Sequence, residues 1–135
     1  MGESRMKTIL CVEDNADNLK VLQLMIGRLR PGDRFIPART AEEAFEILNQ
    51  VHPDLILMDV NLPGMSGIEA MSILRQPPHV PDIPVIAISA HAMASNINEG
   101  LQAGFADYIT KPIDMHLLDK ALKTHLSEVG LTQAC

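Results

Sequence analysis

Aromatic residues are scarce in this chain: no tryptophan, one tyrosine and three phenylalanines in 135 residues. The core must therefore be packed by Leu, Ile, Val, Met and Ala. Cysteine is scarce too, and two residues make no disulfide framework. Cys11 stands in an apolar run and reads as a small buried residue, whereas Cys135 reads as a free terminal thiol. Positive charge is in deficit. A formal net charge of −6 argues against general binding to nucleic acid or to an anionic membrane. No apolar run approaches the roughly 20 residues of a membrane span. Thr8 to Val12 is too short for a signal-peptide core and runs straight into Glu13-Asp14. Gly2 follows Met1, but Met6 stands where a myristoylation signal needs Ser or Thr. The expectation is a cytoplasmic protein with no nucleic-acid or membrane partner.

What is present is ordinary for a globular protein: 47% hydrophobic and 21% charged residues, enough apolar surface for one domain with a real core. That domain is expected over residues 6–128, with flexible termini at 1–5 and 129–135.

The organising stretch is Leu55-Ile56-Leu57-Met58-Asp59, followed by Val60-Asn61-Leu62-Pro63-Gly64-Met65-Ser66. Four apolar residues running into one acid are too few for a helix and suit a strand buried on both faces. Pro63-Gly64 then breaks regular structure. This puts Asp59 at the carboxyl end of an inner strand, where open α/β sheets bind ligands.

The rest of the chain alternates around it. Thr8 to Val12 reads as a buried strand, and Asn15 or Asp17 can cap a helix with Leu19, Leu22, Met25, Ile26 and Leu29 at helical spacing. Pro31-Gly32 ends that helix near Arg30. Arg34 to Ala38 is a short strand whose Pro37 argues for a sheet edge. Thr40 with Glu43 has the form of a capping box for a helix to about Val51, with Ala44, Phe45 and Leu48 inward. Ser66 can cap a helix over residues 67–76, and Pro77, Pro78, Pro81 and Pro84 mark a stiff loop. Val85 to Ile88 is a fourth strand, ending at Ser89. Residues 92–104 form the weakest helix, expected short or mobile because Ser95, Asn96, Asn98 and Gly100 are poor helix formers. Tyr108 to Thr110 is the fifth strand, ending at Lys111-Pro112. Asp114 can cap a last helix that runs to about Gly130, with Leu117, Leu118, Ala121 and Leu122 inward. Five alternating β and α units imply an α/β fold: a doubly wound parallel sheet with helices on both faces.

Four of those strands end in chemistry: Glu13-Asp14, Asp59, Ser89 and Lys111. A doubly wound sheet gathers these ends at one edge. Three carboxylates there repel one another, and a hard divalent cation relieves the repulsion. Mg²⁺ suits them because it takes one or two carboxylates and leaves positions for water and phosphate oxygens. Lys111 offers a mobile cation to a phosphoryl oxygen, and Ser89 a hydroxyl donor. A carboxylate can itself act as nucleophile. Together the residues fit metal-assisted phosphoryl transfer onto Asp59. The five histidines show no zinc spacing.

Four motifs now stand in order: Val12-Glu13-Asp14-Asn15; Leu57-Met58-Asp59 with Leu62-Pro63-Gly64-Met65-Ser66-Gly67; Ile88-Ser89-Ala90; and Tyr108-Ile109-Thr110-Lys111-Pro112. Over about residues 6–128 the chain resembles the receiver domain of two-component response regulators, of the single-domain type. The resemblance implies the flavodoxin-like strand order 2-1-3-4-5. It makes Asp59 the phosphoacceptor, and Glu13, Asp14, Asp59 and the Asn61 carbonyl the Mg²⁺ ligands. Ser89 binds the phosphoryl group and moves toward it, Tyr108 turns inward in response, and Lys111 pairs with the phosphate before a cis Lys111-Pro112 bond.

The function so implied is a phosphorylation-dependent switch rather than a turnover enzyme. It takes phosphate from a histidine kinase or histidine phosphotransfer protein. It signals to a protein partner, or through a homodimer of the last two βα units, across the face from residue 92 to the last helix. It acts as a stand-alone regulator or relay intermediate. Two alternatives are a receiver cut from a hybrid histidine kinase and a small aspartyl-nucleophile phosphatase. Asn61 and His91 are expected to set the access of hydrolytic water to the acyl phosphate.

Overall fold

The computed structural model describes residues 6–76, 82–90 and 94–126. Five strands alternate with five helices: β1 Thr8–Val12, α1 Ala16–Leu29, β2 Arg34–Ala38, α2 Ala41–Leu48, β3 Leu55–Asp59, α3 Gly67–Leu74, β4 Val85–Ser89, α4 Ala94–Ala103, β5 Asp107–Thr110 and α5 Met115–Leu126. All four strand pairings are parallel, in the order β2-β1-β3-β4-β5. The expected strand order is therefore observed, and the strand carrying Pro37 is an edge.

β3 and β4 are buried at every position, as continuous apolar strands in a sheet covered on both faces must be. The period of two along each strand splits the core. Leu10, Val12, Ile56, Met58 and Ala87 pack on one face with Ala44 of α2 and Met71 of α3. Ile9, Cys11, Leu57, Ile86 and Ile88 pack on the other with Leu22 and Ile26 of α1 and Leu118 and Leu122 of α5. Cys11 is fully buried, as its apolar surroundings in sequence suggest.

Helix starts follow the side chains that can satisfy orphan N–H groups. Asn15 Oδ1 accepts from Asn18 N at 2.9 Å, and Asp114 Oδ1 accepts from His116 N at 2.7 Å and Leu117 N at 3.1 Å. The complete capping box is at Ser66 and Glu69, each side chain accepting the other's backbone N–H, at 3.1 and 3.0 Å. Thr40 and Glu43 form only half of one. Thr40 Oγ1 accepts from Glu43 N, but the Glu43 carboxylate takes the N–H of Arg39 at 2.6 Å.

Three other expectations need correction. α4 is a ten-residue helix, longer than α2 and α3 at eight, so of the expectation that it be short or mobile the first half does not hold. α2 and α3 each stop a few residues early, at Leu48 and Leu74. Leu117 does not face the core: it is 52% exposed while Leu118 is fully buried. Adjacent helical residues point about 100° apart, so both cannot face the sheet. The terminal segments, Pro77, Pro78 and Pro81, and His91 lie outside the described residues.

Candidate functional site

Register explains how residues far apart in sequence meet. Val12 pairs with Met58, so Glu13 and Asp59 are the next residue on adjacent strands. Asp59 pairs with Ile88 and Ser89 with Thr110, which brings Ser89 and Lys111 to the same edge. Glu13, Asp59 and Ser89 are buried polar residues at 2%, 4% and 0% exposure. Asp14 is half-buried beside them. One ligand oxygen from each of Glu13, Asp14 and Asp59 lies within 4.8 Å of the other two.

The loop after β3 is held close to its strand. Asn61 N donates to Asp59 Oδ1 at 2.8 Å, an Asx turn that orients the carboxylate, while the Asn61 side chain is exposed. Gly64 supplies the positive φ of 80° that lets the chain turn back.

Lys111 is the site's cation. Its Nζ donates to Asp59 Oδ2 at 2.9 Å and lies 3.1 Å from Glu13 Oε1. Burial works against the ammonium, but the hydrogen bond to Asp59 and the negative charges of Asp59 and Glu13 outweigh it and hold its pKa above the ordinary lysine value. Glu13 moves the opposite way in stability terms. Burial raises its carboxyl above the ordinary value and the Asp59 charge adds to that, with Asn15 N–H and Lys111 offsetting part. The backbone between these residues is equally tied, Lys111 N donating to Ser89 O at 2.7 Å. The Lys111–Pro112 peptide is cis, as expected.

Whether these residues fit a metal turns on one atom. Asn15 N donates to Glu13 Oε2 at 3.1 Å, yet Glu13 Oε1 is buried with no hydrogen-bond partner among the described residues. Its contact with Lys111 is attraction between charges rather than an aligned hydrogen bond. A buried carboxylate oxygen with an unused lone pair, two more carboxylates within reach and an all-oxygen donor set fit a hard divalent cation such as Mg²⁺.

Two features lie beyond the sequence motifs. A groove of about 200 Å³ adjoins Glu13 and Lys111 and runs between Asn18 and Val21 of α1 and Pro112-Ile113. A second, of about 330 Å³, lies between β5 and α5, lined by Tyr108, Leu117 and Lys120 among others. Tyr108 is half-buried, at some remove from the acid cluster on the strand pattern: it pairs with Ala87, two positions before Ser89. Arg39 is the polar residue that motif reading passed over, its Nε donating to the Asp14 carbonyl at 2.8 Å. No signal in the sequence marks it.

Known proteins share this arrangement. The family model of the response regulator receiver domain matches residues 9–123. The chain is 36% identical over 122 residues to the polar-differentiation response regulator DivK of Brucella ovis, covering 90% of this chain and 98% of that protein. It is 35% identical over 125 residues to the signal transduction histidine-protein kinase BarA of Escherichia coli, covering 93% of this chain but spanning only 13% of the kinase. Among solved structures it superposes with a TM-score of 0.79 and 31% identity on the receiver domain of the Pseudomonas aeruginosa sensor histidine kinase PA1611, covering 90% and 98% of the two chains. That receiver has a magnesium ion coordinated in its active site cleft. With the family model spanning both core faces and every strand, this chain belongs to the response regulator receiver domain family of two-component signalling.

Proposed function

We propose that Asp59 accepts a phosphoryl group from a phosphohistidine donor and that the modified chain signals by protein–protein contact. The observation that carries this is the Asp59 carboxylate itself: buried, oriented through Oδ1 by Asn61 N–H and through Oδ2 by Lys111, and within reach of two further carboxylates. In the transfer an Asp59 oxygen bonds to phosphorus, the N–P bond of the donor breaks, and the imidazole leaves to be protonated. Glu13, Asp14, Asp59 and the Asn61 carbonyl would hold Mg²⁺, which neutralises the gathered negative charge. Lys111 then pairs with a phosphoryl oxygen, and Ser89 donates its hydroxyl to another.

The groove between α1 and Pro112-Ile113 opens onto Glu13 and Lys111, with exposed Val21 of α1 on its wall. It is the approach for the donor's helix, whether histidine kinase or histidine phosphotransfer protein. Ser89 movement is read out by Tyr108 and the face from residue 92 to α5, where Leu101 and Leu117 are exposed. That face takes a downstream protein or a second copy of the chain. The switch acts in the cytoplasm and is not a turnover enzyme. Autophosphorylation from small donors and autodephosphorylation, with water access set by Asn61 and His91, complete its cycle.

A second reading is a receiver module within a histidine kinase, favoured by the identity to a stretch of BarA. The size of the natural gene product separates it from a stand-alone regulator. The test of the site is intact mass after incubation with acetyl phosphate, with and without Mg²⁺, for wild type and Asp59→Asn. One Mg²⁺-dependent adduct, absent in the variant, is the expected result. No adduct from acetyl phosphate or from a purified kinase would end the acceptor reading.

A further inference from the structure

The three acids of the site are held in two different ways. The carboxylates of Glu13 and Asp59 are fixed directly, by Asn15 N–H at 3.1 Å, Asn61 N–H at 2.8 Å and Lys111 Nζ at 2.9 Å. Asp14 is the more exposed member, in the short link between β1 and the α1 cap Asn15. Its restraint is on the backbone: Arg39 Nε donates to its carbonyl oxygen at 2.8 Å.

The Arg39 side chain is exposed, and what anchors the residue is its backbone. It follows β2 directly, and its N–H donates to Glu43 Oε1 in the first turn of α2 at 2.6 Å. Next to it, Glu13 N donates to Ala38 O at 2.9 Å. The link bearing Asp14 is thereby stapled to the edge strand and to α2. The bond goes to the carbonyl, which leaves the Asp14 carboxylate its full charge for a cation.

We propose that Arg39 is a positioning residue of the metal site, holding the Asp14 backbone so that its carboxylate faces those of Glu13 and Asp59. The proposal rests on the reading that Mg²⁺ binds there. Charge and geometry oppose each other at this residue. A guanidinium near the site repels a divalent cation, so charge alone requires tighter binding once Arg39 is removed. Positioning requires weaker binding.

Two variants separate these effects. Arg39→Ala removes donor and charge together. Arg39→Gln removes the charge but carries an amide nitrogen as many bonds from Cα as Nε is. Mg²⁺ affinity is read by isothermal titration calorimetry on the unphosphorylated full chain, with urea midpoints confirming that both variants fold. Arg39→Ala should weaken Mg²⁺ binding roughly three- to ten-fold, the worth of one hydrogen bond. Arg39→Gln should return to within about two-fold of wild type or bind more tightly, its donor restored and its repulsion gone. Unchanged or tighter binding in Arg39→Ala overturns the proposal, as does an equal loss in both variants. A wild type silent to Mg²⁺ overturns the metal reading itself, and is distinguishable because no variant comparison is then needed.

Discussion

Gly67 N donates to Val60 O at 2.7 Å, and a Cβ on Gly67 would stand 2.8 Å from Val60 Cα and 3.0 Å from Asp59 O. The start of α3 is thus seated against the backbone that leaves Asp59, the proposed acceptor. Both obstacles are main-chain atoms, so neither can rotate aside. Gly67→Ala is expected to cost about 1–3 kcal/mol in urea denaturation and to slow phosphorylation of Asp59 by displacing its backbone. An unchanged midpoint would mean that the loop over residues 60–66 yields freely.

Glu13 makes a pH-dependent demand on the metal-free protein. Burial raises its folded-state pKa above the unfolded value. A raised carboxyl supports the fold fully below the unfolded pKa, and that support is lost as pH rises through the folded pKa. In EDTA, Glu13→Gln should therefore lose this part of the decline in stability above about pH 4.5, the ordinary glutamate value. If Mg²⁺ binds as proposed, the variant should also lose most of the thermal stabilisation gained on adding it. Melting curves across roughly pH 4–8 test both; a wild-type slope preserved in the variant refutes the first.

Lys111 balances Asp59 and Glu13 at once. Removing it leaves two buried carboxylates without their cation. Lys111→Met is expected to destabilise the metal-free chain at pH 7 by about 1–3 kcal/mol, the lysine's partial exposure keeping the cost below that of a fully buried pair. Added Mg²⁺ should recover part of the loss, and phosphorylation from acetyl phosphate should fall steeply. A midpoint equal to wild type in EDTA would show that water compensates the acids. The raised lysine pKa adds its own signature, since the stability it lends is complete below pH 10.5 and is lost only as pH rises through its folded value.

Leu117 and Leu118 are neighbours with opposite environments, 52% exposed and fully buried. Leu118→Ala should cost about 2–5 kcal/mol, the range for emptying a packed core position. Leu117→Gln should stay within about 0.5 kcal/mol of wild type and leave phosphorylation intact. It should nevertheless weaken any phosphorylation-dependent association through the Tyr108 face, read by sedimentation of the phosphorylated chain with its partner. Equal stability losses at the two positions would contradict this assignment.

Much of the fold was legible because local physics and tertiary physics agree over most of the chain. Apolar runs of four or five residues bounded by Pro, Gly or acids mark Leu55–Asp59 and Val85–Ser89 as buried strands, and Asn15, Ser66 and Asp114 sit where a helix needs a cap. α4 is longer than its residues suggest because propensity is a weak prior against tertiary contacts, here with α3 and β5. Leu117 was misplaced because two adjacent apolar residues both look inward until the helix is rotated onto its sheet. Glu43 satisfies the capping pattern of Thr40, but its carboxylate finds Arg39 N instead.

Which residues could do the chemistry is written in the primary structure, since four motifs carry the acids, the hydroxyl and the lysine at successive strand ends. How those groups meet follows from the folded sheet. Parallel register sets Glu13 level with Asp59 and carries Lys111 across β5 and β4 to within 2.9 Å of the Asp59 carboxylate. It left Glu13 Oε1 buried without a hydrogen bond among the described residues, and it set Arg39 against the Asp14 carbonyl. Such contacts join residues 25 and 52 positions apart in the chain. No local pattern encodes them, because the energy that forms them comes from burying two apolar faces of a sheet whose geometry then leaves these polar groups at its edge.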